Sequence, residues 1–169
     1  MDDEIKQKER GEVDERISND SISNDTLSSD SLSPRDQRSL IFHLLYAADS
    51  FDYDSSLEAI VDNFARGFGI TIERNSALYK QVAAVIEDRV RLDEMYRPLL
   101  DNWRFERLGT ATRLILRNAL WEFLHTSADA VLIINEAVEL AKCFAEKDAY
   151  KFINGILDEF LKQREETLS

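Results

Sequence analysis

Val131-Leu-Ile-Ile-Asn-Glu-Ala-Val-Glu-Leu-Ala-Lys-Cys-Phe-Ala-Glu-Lys-Asp-Ala-Tyr-Lys-Phe-Ile-Asn-Gly-Ile-Leu-Asp-Glu-Phe-Leu161 reads as two helices joined by a short polar turn. In the first, Val131, Ile134, Val138 and Ala141 recur at helical spacing. Leu132, Ile133, Ala137 and Leu140 extend the apolar surface nearly all round, which predicts a buried helix. Glu146-Lys147-Asp148 forms the turn, with Asp148 as the expected N-cap of the second helix. That helix carries a wide apolar stripe of Phe152, Ile153, Ile156, Leu157, Phe160 and Leu161. Gly155 lies inside it at a cost of roughly 1 kcal/mol against Ala. Its presence predicts that another backbone packs close.

Toward the N-terminus, Pro34 opens a helix expected from Arg35 to Asp49, with Leu40, Ile41, Leu44, Leu45 and Ala48 as its core stripe. A second row, Arg35, Arg38, Phe42 and Tyr46, puts two cations and two aromatics on one face. Such a face can hold phosphates and stack a base. On spacing alone the more ordinary reading is a solvated face with rim aromatics. Ser55-Ser-Leu-Glu58 has the pattern of a capping box starting a helix to about Phe68, closed by Gly67 and Gly69. A long helical pattern runs from Ser76 until Pro98 breaks it near Arg97. Trp103 and Leu108 lie in a connector, and Gly109-Thr110 starts a largely apolar helix. On that helix Arg113, Arg117 and Trp121 share a face, either a partner-binding surface or a solvated edge. Asp129 is placed to cap the next helix. The pattern predicts an all-α fold of about seven helices with antiparallel neighbours.

The chain has 169 residues, enough for one domain with its own core. Residues 1–33 are rich in Ser, Asp and Asn and hold a five-residue repeat: Ile17-Ser-Asn-Asp-Ser, Ile22-Ser-Asn-Asp-Thr, Leu27-Ser-Ser-Asp-Ser. So few apolar groups cannot offset ordering entropy. These residues are therefore expected to be a disordered acidic tail, dispensable for folding, before a helical domain at 34–165. The net charge is −12, and the tail, with 10 acids and 4 bases, contributes −6 of it. That balance argues against a general nucleic-acid binder and leaves room only for a local basic patch.

One cysteine, Cys143, allows no internal disulfide, and no apolar run is long enough for a bilayer. A cytoplasmic location is expected, with no membrane association. No cofactor is expected, because no phosphate loop, nucleophile elbow or Cys/His metal spacing occurs. Glu122-Phe-Leu-His125 is a lone Glu-x-x-His pair near a helix end. Without a second pair it predicts no metal site.

Ile134-Asn-Glu-Ala-Val-Glu-Leu-Ala-Lys142, then Phe144, Asp148 and Lys151-Phe-Ile-Asn-Gly-Ile-Leu-Asp158 resemble the signature of the NusB family, bacterial transcription antitermination factors that bind RNA. Ile115-Leu-Arg-Asn-Ala-Leu-Trp-Glu122, and Arg38 with Leu45-Tyr46, extend the resemblance across most of residues 35–163. The resemblance implies a non-enzymatic protein of two small packed helical subdomains, divided near Asn102. It also implies binding of a boxA-like single-stranded segment of nascent ribosomal RNA, together with the ribosomal protein NusE. The complex would hold RNA polymerase in a termination-resistant state.

By position, Arg38, Tyr46, Lys142, Phe144, Asp148 and Lys151 fall where family members contact or border RNA. Arg35 and Lys147 complete the set of nearby cations. The chain departs from the family in two places. Helix one opens with only Arg35 and Arg38, separated by Asp36, in place of a dense Arg/Lys cluster. Thr112 stands where an acidic residue is usual, near the surface resembling the NusE site. These departures, with the charge of −12, motivate an alternative: an interaction module of the same fold with lost or weak RNA binding.

Overall fold

A computed structural model describes residues 26–168. The expected tail falls mostly on residues 1–25, outside the described residues. The elements are β1 (Leu27–Ser28), α1 (Pro34–Ser50), α2 (Leu57–Phe68), β2 (Ile70–Thr71), α3 (Ala77–Glu87), α4 (Arg89–Tyr96), α5 (Thr110–His125), α6 (Ala130–Phe144) and α7 (Ala149–Leu168). Seven α-helices agree with the sequence pattern, and four of them start at a side-chain cap. Ser33, Ser76 and Asp129 accept from first-turn amides of α1, α3 and α6, satisfying donors that the helix leaves unpaired. α2 is capped by Ser56, which accepts from Ala59 N at 3.2 Å. The cap is therefore Ser56, not Ser55, and no Ser55/Glu58 box forms, because the N3 residue opposite Ser56 is Ala59. Gly67 lies within the last turn of α2, and Gly69 alone ends it, at φ 64°, a left-handed conformation that glycine adopts without strain.

α5 is the central element. It packs against α1, α3 and α4 and also against α6 and α7. Leu116 and Leu120 are wholly buried, and Leu114 and Ile115 nearly so. α6, expected to be the buried helix, buries one face through Ile133, Ile134, Ala137 and Ala141, whereas Val131 is 65% and Leu132 45% exposed. Both lie in its first turn, at the edge of the packed helices. The long pattern from Ser76 breaks earlier than Pro98, at Asp88 between α3 and α4. There the Arg89 guanidinium donates to the Ile86 carbonyl at 2.9 Å and lies 4.3 Å from the Tyr53 ring. Pro98 sits in the 3-10 turn that follows α4, Arg97–Leu100. Asn102 falls in the connector from that turn to α5.

Two features were not expected. Leu27 pairs with Ile70 and Ser28 with Thr71 in a short parallel ladder. Ser29 is buried and Leu32 packs against the core. Residues 27–33 thus belong to the folded domain: Leu27 and Ser28 of the third repeat copy pair with β2, and the Leu32-Ser33 that follows supplies a core contact and the cap of α1. Gly155, expected to admit a second backbone, has no other atom within 4 Å of where a Cβ would stand. It lines an open cleft. No helix among the described residues is long and apolar enough to cross a membrane.

Candidate nucleic-acid interface

α1 and the end of α6 lie side by side and bring four rings together. Phe42 is 4% exposed. Phe144, the last residue of α6, stacks on it with centroids 4.9 Å apart and planes 19° apart. Phe144 itself remains 41% exposed. It is neither a core residue nor a free one: Phe42 supports it, and part of its surface meets solvent. His43 approaches Phe144 edge-on at 4.9 Å, and Tyr46, 46% exposed, lies 6.0 Å from Phe42. His43 is exposed, but desolvation of its packed side holds its pKa below the usual histidine value.

Cations border this platform, most of them with a carboxylate at hand. Arg35 is exposed and reaches Glu139 at 3.2 Å and Glu136 at 3.7 Å. Lys142 Nζ lies 2.9 Å from the same Glu139. This hydrogen bond raises the Lys142 pKa and lowers that of Glu139. Lys151 pairs with Asp148 at 3.1 Å, which raises the lysine's pKa. Lys142 and Lys151 both approach the Tyr150 ring, at 5.5 and 5.7 Å. Lys147 is exposed at the tip of the α6–α7 turn and has no carboxylate within ion-pair distance among the described residues. Exposed pairs of this kind are weak, so a phosphate can displace the carboxylate.

Asp148 differs from its expected role as a cap. Its φ is 66°, outside the extended region of an N-cap, and its carboxylate faces Lys151. The left-handed residue reverses the chain between α6 and α7.

Two predicted arginines are turned inward. Arg38 holds Glu122 with Nε 3.1 Å from both carboxylate oxygens and Nη2 2.8 Å from Oε2. The two side chains are 13% and 6% exposed. Hydrogen bonding to Glu122 raises the Arg38 pKa. Asn118 donates through Nδ2 to the same carboxylate at 3.2 Å and accepts through Oδ1 from Gln81 Nε2 at 2.9 Å. Arg38 therefore ties α1 to α5 and does not face the platform's solvent side. Glu122 is taken up by this network, while His125 lies against Trp121 at 4.9 Å.

On α5, Arg117 is 5% exposed. It donates to Asp93 at 2.8 and 2.6 Å and to the Tyr53 hydroxyl at 2.8 Å. Burial opposes its charge, but the Asp93 carboxylate more than compensates and the pKa is raised. Arg113 and half-buried Trp121 remain accessible on that helix, with Arg113 4.0 Å from Asp49. The expected Arg113/Arg117/Trp121 face thus loses its middle member to the core.

The structure adds an aromatic pair that the spacing did not reveal. Trp103, 59% exposed, lies 5.4 Å from Phe152. Both line a cleft of about 530 Å³ with Gly155, Lys151 and Gln163. The residues are 49 positions apart, so no periodicity joins them. The signals available were an exposed-type Trp in a connector and a glycine on the facing helix.

The chain and its helical fold have counterparts among known proteins. The NusB family model matches residues 35–162. The transcription antitermination protein NusB of Staphylococcus epidermidis is 33% identical over 125 residues, covering 74% of this chain and 95% of that protein. The NusB of Macrococcus caseolyticus is 45% identical over 83 residues, 49% of this chain, and that match spans 64% of the relative's length. The solved T. maritima NusB superposes with a TM-score of 0.65 at 25% identity, covering 78% of this chain and 92% of that one.

Proteins of this class are non-enzymatic transcription antitermination factors. This chain belongs to the NusB family.

Proposed function

We propose that this antitermination protein binds a boxA-like single-stranded segment of nascent ribosomal RNA, together with the ribosomal protein NusE, within an RNA polymerase antitermination complex. The observation that carries the reading is Phe144: a ring 41% exposed, supported from beneath by Phe42. A supported ring is a preformed stacking surface for a base, and the support removes much of the ordering cost. Tyr46 extends that surface. Arg35, Lys142, Lys147 and Lys151 supply phosphate contacts, with Asp148 orienting Lys151. The Trp103/Phe152 cleft beside Lys151 offers a second place for an unstacked base. Arg38 contributes by holding α1 in place. On α5, contact with NusE would rest on Arg113 and Trp121.

The second reading, an interaction module with weak RNA binding, is favoured by the ion pairs that occupy Arg35, Lys142 and Lys151. The two separate in one titration. Fluorescence anisotropy with a labelled boxA-like RNA and an unrelated RNA of equal length, each with and without NusE, gives four curves. The first reading expects tight binding of the boxA-like RNA with NusE present and much weaker binding of the other. Absence of RNA binding in all four combinations would leave the interaction module.

A further inference from the structure

The α6–α7 turn is held from outside by a contact that neither helix provides. Gly109 precedes α5 at φ −61° and ψ 152°, a conformation open to most residues. Its backbone does not demand glycine. The space beside it is taken by a side chain: a Cβ on Gly109 would overlap the carboxylate at the end of the exposed Glu146 and displace it. The same carboxylate accepts a hydrogen bond from Thr112 Oγ1 at 2.9 Å. Thr112 is 2% exposed, so its hydroxyl is fixed by the core. Gly109 offers no side-chain cap, and the Glu146 carboxylate rests on that first turn, where negative charge is favoured. The chain then turns at once: Glu146 O accepts from Ala149 N at 3.0 Å, and Asp148 O from Lys151 N at 3.1 Å.

We infer that Glu146 is a positioning residue: its carboxylate, seated in the notch at Gly109 and on Thr112, fixes the α6–α7 turn that presents Phe144, Lys147 and Lys151. The latch belongs to the free protein. Only its consequence for affinity rests on the RNA-binding reading above.

The test is a double-mutant cycle on the full chain with two readouts. Glu146→Ala removes the latch, Gly109→Ala fills its seat, and Glu146→Gln keeps an acceptor for Thr112. Amide hydrogen exchange at Ala149 and Lys151 in the free protein reports the turn, with Leu44 and Leu45 amides as an internal reference for global stability. Both Ala variants should speed exchange in the turn relative to the reference. The double variant should be no faster than either single one, because both remove the same contact. Glu146→Gln should retain most of the protection. RNA affinity should fall roughly three- to tenfold in each Ala variant, the cost of ordering a loosened segment on binding. Unchanged exchange in Gly109→Ala, or effects that simply add in the double variant, would overturn the latch. Faster exchange with unchanged RNA affinity would overturn its positioning role. A wild-type protein that binds no RNA, with the exchange pattern as described, refutes the RNA reading and leaves the latch standing.

Discussion

Arg38 and Glu122 bury opposite charges against each other, and the cost of breaking such a pair falls on whichever partner survives. Arg38→Ala should therefore lower the unfolding free energy by about 3–5 kcal/mol, measured by urea denaturation. Replacing both residues by apolar ones of similar volume should cost far less. Phe144 has a different profile. Its ring is part solvated, so Phe144→Ala should lose about 1–3 kcal/mol of RNA affinity while the melting temperature falls only modestly. A large fall would place the ring's role in packing.

His43 adds a pH dependence. Desolvation of its packed side lowers its folded pKa, so below the unfolded value of about 6.5 the unfolded chain binds more protons than the folded one. The associated stability is present above that value and is lost as pH falls through the folded pKa. Urea midpoints at pH 7.5 and pH 6 should differ more for the wild type than for His43→Asn. At this scale the sequence is informative about a residue's neighbours along its own helix and silent about those on another. The row Arg35, Arg38, Phe42, Tyr46 exists on α1 as its spacing predicts. What separates Arg38 from Arg35 is Glu122, which lies 84 residues away. Arg117 leaves its predicted face for the same reason: Asp93 lies on another element.

Helices were legible because each carries its own period and, in most cases, its own cap. Boundaries moved where a tertiary contact competed. The break at Asp88 accompanies Arg89 turning to Tyr53, and the exposed start of α6 reflects where the neighbouring helices end. The short ladder of β1 and β2 could not be read at all, since two residues set no period. It changes one expectation. Removing residues 1–25 should leave the melting temperature nearly unchanged, because that segment has few apolar groups to bury. Removing residues 1–33 also deletes Leu32, the ladder with Ile70 and Thr71, and the Ser33 cap, which alone contributes about 1 kcal/mol. Thermal denaturation should then show a fall of several degrees, on the order of 2–4 °C per kcal/mol for a domain of this size. Equal melting temperatures for the two truncations would mean that β1 is ornamental.

Across the whole molecule, the family and fold were legible because the α6–α7 signature is nearly continuous in sequence, whereas the surface is assembled from α1, α6, α7 and the connector before α5. The charge of −12 sets the limit on electrostatic grip. With Arg38 internal, Arg35, Lys142, Lys147 and Lys151 can neutralise no more than about four phosphates. Log K against log salt should have a slope no steeper than roughly −3 at 0.7 per phosphate, read from anisotropy titrations at several salt concentrations. A steeper slope would require cations from elsewhere in the chain.

The pairs Arg35–Glu139, Lys142–Glu139 and Lys151–Asp148 have a consequence for selectivity. In an ordinary basic protein, mobile salt ions screen the patch, and any polyanion that arrives displaces them. Here the screening ions are covalently tethered and do not diffuse away when displaced. Each phosphate that arrives at Arg35, Lys142 or Lys151 must displace a tethered carboxylate, and stacking on the rings adds to its advantage by holding the strand in place. Duplex DNA and structured RNA, with bases already stacked on one another, lack that help. A surface of this kind would pass over bulk nucleic acid and stay available for a short unpaired segment.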